Sequence, residues 1–451
     1  MFDYVRVCAA ASIVFYLASP YVEIEHVWGA GGFFAIPLAA RLLLVAATLP
    51  FFWRRLAERL WTASVRGLWL IRSRLGVDVI AGIAAVLSVA VFWGARLGHL
   101  HWGDAYIFAS AISHPDAMLT YSWQSPLDVY LHAKLWAAAN AAWGWDVWTT
   151  YALVSCIAGG LFVFVLAQAV TEFVDDGSGR LAAVVLFLSL GSIQLFFGYV
   201  ESYTILPVCI LLFLWLGLRY LSRKGPLWPA AAALAVAHGL SPSTLPLAAA
   251  LLYLAYRAWR RREAGLDRLV VEVTAPMLVV GLLVLGLMTA GGHGLSYLFA
   301  ADAPGGGDAR WFVPLLRTQT RWEHYTMISW PHLRDFLNEQ ALVAPFGLLL
   351  AGGVFWRERR QRIWRQPAVA FLAIAAGAYL LLSFVWNADY GGRRDWDLFA
   401  PAAFPLMALA AYLVNRHLPE RERNVCVPLV TAVSLIHLIP WVYFNTQPWP
   451  W

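Results

Sequence analysis

Apolar runs of membrane length, separated by short polar or basic stretches, recur along nearly the whole chain. They fall at 6–20, 31–53, 77–97, 148–170, 180–198, 203–221, 226–239, 243–257, 269–290, 339–356, 367–386, 398–415 and 424–444. A helix rises about 1.5 Å per residue, so roughly 20 apolar residues cross the ~30 Å hydrocarbon layer of a bilayer. The pattern predicts an all-α polytopic membrane protein with about thirteen transmembrane helices. The first run could pass for a signal peptide, but Asp3 balances the Arg6 ahead of it, and an uncleaved first helix is expected.

Charge orders these helices in space. The basic clusters are Arg54 to Arg74, Arg223-Lys224, Arg257 to Arg262, Arg357 to Arg365 and Arg416 to Arg423. With thirteen spans and a cytoplasmic N-terminus, all five clusters lie in the cytoplasm, as the positive-inside rule asks. The segment 125–145 carries Asp128, His132, Lys134 and Asn140, and a further span there would put the downstream clusters outside. It is therefore expected to lie in or dip into the outer interface, within a first large outer loop at 98–147; the alternative is that it spans and one of the shorter apolar runs does not. The expected organisation is two N-terminal helices and a basic loop at 1–76, then a membrane module at 77–290. An outer loop or lid at 291–338 and C-terminal helices at 339–451 complete it. Arg41, near the middle of the second span, needs a partner inside the bundle.

Composition agrees with the class. The chain of 451 residues is 61% hydrophobic and 13% charged and contains 24 Trp, which excludes an ordinary soluble protein. The net charge of +6 sits in short Arg clusters between apolar runs and gives no reason to expect nucleic acid. Cys8, Cys156, Cys209 and Cys426 all fall in apolar runs, with neither metal-ligand spacing nor a disulfide pattern.

On this topology every unusual polar sequence reaches the outer face. Asp104, in His99-Leu100-His101-Trp102-Gly103-Asp104-Ala105-Tyr106, opens a short helix at the membrane boundary and can accept a proton from a hydroxyl. Asp116 follows in the same loop, as a second carboxylate or the cap of the next turn. Glu201, between Tyr199 and Tyr203, faces the same side and could position an acceptor or share a divalent cation with Asp104. The densest polar block runs from Asn387 to Asp397, where Arg393 and Arg394 call for an anionic partner. That partner is either one of Asp389, Asp395 and Asp397 or a phosphate, which guanidinium groups bind bidentately. His238 and His324 offer further phosphate or hydroxyl contacts. The sequence contains no P-loop, dinucleotide fingerprint, zinc-protease or nucleophile-elbow motif.

These residues carry a resemblance. Trp102-Gly103-Asp104-Ala105-Tyr106, then Ala109, then Ser125-Pro126-Leu127-Asp128-Val129-Tyr130-Leu131 and Leu135 resemble the first outer loop of GT-C glycosyltransferases. The similarity is to the branch of protein O-mannosyltransferases and the lipid A aminoarabinose transferase, and it covers about residues 77–260. It implies a polyprenyl-phosphate-linked sugar donor and a lipid, glycan or protein hydroxyl as acceptor. Asp104 takes the catalytic position and Glu201 that of a further acid. Transfer at the outer face then inverts the sugar, with Asp104 as base and Arg393, Arg394, His238 or His324 on the phosphate. Tyr106, Asp116 and Asp395 complete the expected substrate contacts. The resemblance fixes no cofactor, and a divalent cation would be compatible. Two spans precede the usual first one, and a lone Asp104 stands where the family has an acidic pair. The Arg-rich, Lys-poor composition points to a bacterial inner membrane. The competing readings are a flippase or transporter of lipid-linked or anionic solutes, and an O-antigen-type polymerase or ligase.

Overall fold

Two prolines decide where the long apolar segments bend. Pro37 parts the helical stretch Ile24–Ala35 from Leu38–Phe52 at 92°, and Pro345 parts Trp330–Val343 from Gly347–Arg357 at 94°. The residue before a proline is pushed out of the helical region, and Ile36 (φ −93°, ψ 149°) and Ala344 (φ −148°, ψ 66°) both leave it. Arg41 finds its partners at the first break: its guanidinium donates to the Phe34 and Ile36 carbonyls at 2.7 and 2.8 Å. Those are acceptors that the interrupted helix leaves free.

The computed structural model describes residues 1–114, 119–263, 265–298 and 311–449, and among these it is helical without a strand ladder. Seven helices are long and apolar enough to cross a membrane, or up to nine if each bent pair is one span. The chain is thus an integral membrane protein, with fewer full-length spans than the thirteen expected. The difference lies mainly in 177–260, where the helices Gly177–Leu188, Leu206–Leu221, Trp228–Leu240 and Ala248–Arg260 have only 12 to 16 residues. At 1.5 Å per residue they reach roughly 18–24 Å. Two of them run into 3-10 turns, Gly191–Phe196 and Pro242–Leu247, instead of continuing.

Burial sorts the spans. The segment Trp396–His417 is 89% and Glu420–Thr446 72% buried, so these two form the axis of the bundle. Val77–Gly94 and Leu266–Ala290, each 11% buried, present apolar faces to lipid. The terminal helix packs on Phe2–Ala18, on Trp28–Ala35 and on Gly177–Leu188, which ties both ends of the chain together.

The helix Pro126–Trp143 forms as the loop reading expected, yet its first polar residues do not face water. Asp128 and His132 are fully buried, 3.0 Å apart across one turn, and the His132 ring stacks on Tyr151 at 3.8 Å. Lys134 and Asn140 stay exposed. Pairing is what makes such residues tolerable in an apolar setting. Of the 291–338 region, the described part beyond 311 lies against the polar block. Phe312 bridges to Trp386, and the Trp322 carbonyl accepts from Asn387 Nδ2 at 3.0 Å.

Candidate active site

The loop 97–104 is fixed by its own backbone. Leu97 N–H donates to the Phe197 carbonyl (2.8 Å), Gly98 N–H to the Asn445 carbonyl (2.8 Å) and Gly103 N–H to the Arg394 carbonyl (3.0 Å). Asp104 N–H donates to Glu201 Oε1. Gly103 sits at φ +50°, and a Cβ there would lie 2.5 Å from Glu201 Oε1 and 2.6 Å from Asp397 Oδ2. Only glycine lets the loop pass over both carboxylates.

Three segments thereby bring their acids to one place. Glu201 is buried and accepts the Ser202 N–H at 3.0 Å as well as that of Asp104. Asp397 is buried and accepts the Tyr199 hydroxyl and the Leu398 N–H, both at 3.0 Å. Asp104 itself is half-buried, bonded to the Tyr390 hydroxyl, and its Oδ1 has no protein partner. Burial pushes the Asp104 carboxyl up to about 6, against the pull of the Tyr390 bond and Arg394. Glu201 is driven well above the usual carboxylate range by burial, with Asp397 and Asp104 adding like charge. Like charges crowded in a low dielectric cannot all ionise, so protons are shared among these groups near neutral pH.

Beside this junction opens a cavity of about 400 Å³. Its lining combines aromatic side chains, among them Trp28, Trp102, Tyr325 and Trp449, with the guanidinium groups of Arg334, Arg393 and Arg394. The two broken elements meet here and contribute Glu25 and Trp28 on one side and Arg334 and Asp335 on the other. Interrupted helices at membrane depth are tolerated where they line a cavity. His101 lines it too, its ring stacked on Trp449 at 3.6 Å. Burial holds His101 down at about 4, with Arg394 and Arg393 acting in the same direction, so the ring is neutral near pH 7.

The solved structure of ArnT from Cupriavidus metallidurans bound to undecaprenyl phosphate superposes with a TM-score of 0.53. It is 14% identical, and the match covers 83% of this chain and 78% of ArnT. The apo state of the same protein gives 0.50 over 82% and 77%, again at 14% identity. No protein-family model and no curated protein matches the sequence. The chain has the fold of ArnT. ArnT is a lipid A aminoarabinose transferase of the GT-C fold, so the architecture implied by the outer-loop residues is present.

Within this ArnT fold the expected residues divide. Asp104 and Glu201 meet through the Asp104 N–H, and Arg393, Arg394 and His324 line the cavity beside them. Asp395 is buried and accepts the Tyr390 N–H at 2.8 Å. The carboxylate paired with Arg393 is Glu25, near the N-terminus, while Arg394 lies over the Tyr390 ring at 4.3 Å. His238 bonds Thr244 Oγ1 at 2.7 Å, and neither belongs to the cavity wall. Tyr106 is 67% exposed and turned outward. Asp116 lies outside the described residues. Among the described residues no group of three His, Cys, Asp or Glu side chains is placed to hold a metal ion. Sequence reading missed Tyr390 and Arg334, and it took Asp397 only for an arginine partner. Tyr390 and Asp397 lie in the polar block it singled out.

Proposed function

We propose that this chain is a GT-C glycosyltransferase that moves a sugar from a polyprenyl-phosphate-linked donor to an acceptor hydroxyl. The single observation that carries this is the Asp104 carboxylate, its buried Oδ1 without a protein partner, bonded to Tyr390 in the lining of an arginine-bearing cavity in an ArnT fold. Asp104 takes the proton of the acceptor hydroxyl as its oxygen attacks the anomeric carbon. The bond from that carbon to the phosphate oxygen breaks on the opposite face, which inverts the configuration. The lipid phosphate leaves with the bonding pair, and Arg394, Arg393 and Arg334 offset its charge. Phosphate is already a good leaving group, so positioning and charge stabilisation do most of the work. The neighbour's bound undecaprenyl phosphate supports the donor class, and a lipid, glycan or protein can supply the hydroxyl.

The positive-inside pattern supports a cytoplasmic N-terminus and a site that faces the periplasm from a bacterial inner membrane. The division into helices 1–76, module 77–290, loop 291–338 and helices 339–451 belongs to the same reading. The direct test is transfer from a radiolabelled polyprenyl-phosphate sugar by the purified protein in vesicles. No transfer to any lipid, glycan or peptide hydroxyl would sink the proposal.

Two outcomes follow from the geometry. Arg394→Ala is expected to raise the KM for the donor about tenfold or more, since a hydrogen bond to a charged group contributes about 1.5–3 kcal/mol. Arg393→Ala should have a smaller effect, because Glu25 already neutralises that guanidinium. Equal effects of the two would contradict this assignment. A base must be ionised to act, and the Asp104 carboxyl stands at about 6. The kcat/KM should therefore fall about tenfold per pH unit below that value and level off above it. A profile flat from pH 4.5 to 7.5 would rule Asp104 out as the base.

A further inference from the structure

The loop that carries Asp104 is tied to the far end of the chain by one side chain. Asn445 is fully buried near the end of the helix Glu420–Thr446. Its Oδ1 accepts the Trp102 Nε1–H at 2.6 Å, its own carbonyl accepts the Gly98 N–H at 2.8 Å, and its Nδ2 donates back to the Trp441 carbonyl at 2.9 Å. Gly98 lies so close to the following turn that a Cβ would strike the Thr446 carbonyl. Three residues on, Trp449 packs edge-on to Trp102 at 5.2 Å and flat on His101.

We propose that Asn445 is a positioning residue for the transfer reaction, setting the height and register of Asp104 through Trp102 and Gly98. This rests on the glycosyltransferase reading above. The other ties of the loop are backbone bonds to Phe197 and Arg394 and the Glu201 bond. They fix Leu97, Gly103 and Asp104; between them the bulge 98–102 is hydrogen-bonded to Asn445 and packed by rings, Trp449 against His101 and Trp102. The bulge carries Trp102, whose indole also forms cavity wall, so the same bond sets the carboxylate and the aromatic surface that faces the substrate. A carboxylate displaced by an ångström from the attacking hydroxyl loses rate, whereas the phosphate contacts on Arg394 are untouched.

Asn445→Leu keeps the shape and removes both side-chain hydrogen bonds, while Trp102→Phe keeps a ring and removes only the donor. Each is expected to lower kcat at least tenfold, the donor KM staying within about twofold in Asn445→Leu, which leaves the cavity-lining indole in place, and the double variant should be no worse than the more severe single one. Hydrogen–deuterium exchange on the same proteins in vesicles reads the clamp without any turnover. Amides of 97–106 should exchange at least tenfold faster in Asn445→Leu, with the central helix Ala403–His417 unchanged. Additive losses, a raised KM at constant kcat, or wild-type exchange in the loop would each overturn the proposal. So would accelerated exchange throughout the bundle, which marks a merely structural residue. If the wild-type protein transfers no sugar, the functional reading fails by itself, and the exchange comparison still decides whether Asn445 holds the loop.

Discussion

Asp104→Asn should abolish measurable transfer, a loss of about 10²–10⁴-fold in kcat, and leave the protein folded. The amide cannot accept the hydroxyl proton, yet it keeps an oxygen for the Tyr390 hydroxyl, and the backbone N–H that bonds Glu201 is unchanged. The stability side can be signed. The folded-state pKa of Asp104 lies above the ordinary carboxylate value, so folding favours the protonated form. That contribution is complete at low pH and fades as pH rises through about 6, where ionisation costs the folded state. A neutral isostere escapes the cost. At pH 7.5 the thermal midpoint of Asp104→Asn should equal or exceed that of the wild type. Loss of transfer together with a lower midpoint would indicate a structural carboxylate.

Gly103→Ala should be nearly as damaging by a different route. The left-handed backbone at φ +50° costs a residue with a Cβ about 1–2 kcal/mol, and the methyl would press on Glu201 and Asp397. Neither acid can retreat freely, because Glu201 holds two N–H groups and Asp397 is bonded to Tyr199 and Leu398. The loop must lift, and Asp104 lifts with it. Expected are a transfer rate below about 1% of wild type and a lower thermal midpoint. Wild-type kinetics would mean that the carboxylate junction can separate without consequence.

How much of this was legible in the sequence follows from the range over which each feature is encoded. Apolar runs and basic loops are local, so the membrane class and most helix positions could be read directly. Asp104, Glu201 and the 387–397 block stood out because polar residues at apolar boundaries are rare. What failed was length. The run 31–53 looked continuous, although Pro37 marked the break, and the four short helices of 177–260 were counted as full spans. Partner identity failed for another reason. For Arg393 the sequence offered the acids beside it or a phosphate, whereas Glu25 stands 368 residues away and carries no local sign of its role. Asp128 and His132 were placed at a wet interface because each alone is costly in lipid, and the i,i+4 spacing that lets them neutralise each other was overlooked.

The clamp on the catalytic loop also bears on how the protein comes into being. Asp104 is synthesised early, but the groups that seat it, Arg394 and Asn445, come nearly 300 and more than 340 residues later. A nascent chain paused anywhere before Glu420–Thr446 has the carboxylate without its setting. On the glycosyltransferase reading, transfer activity therefore appears only after that helix has been threaded into the membrane, and an insertion failure at that step yields a protein that is full of helices and silent.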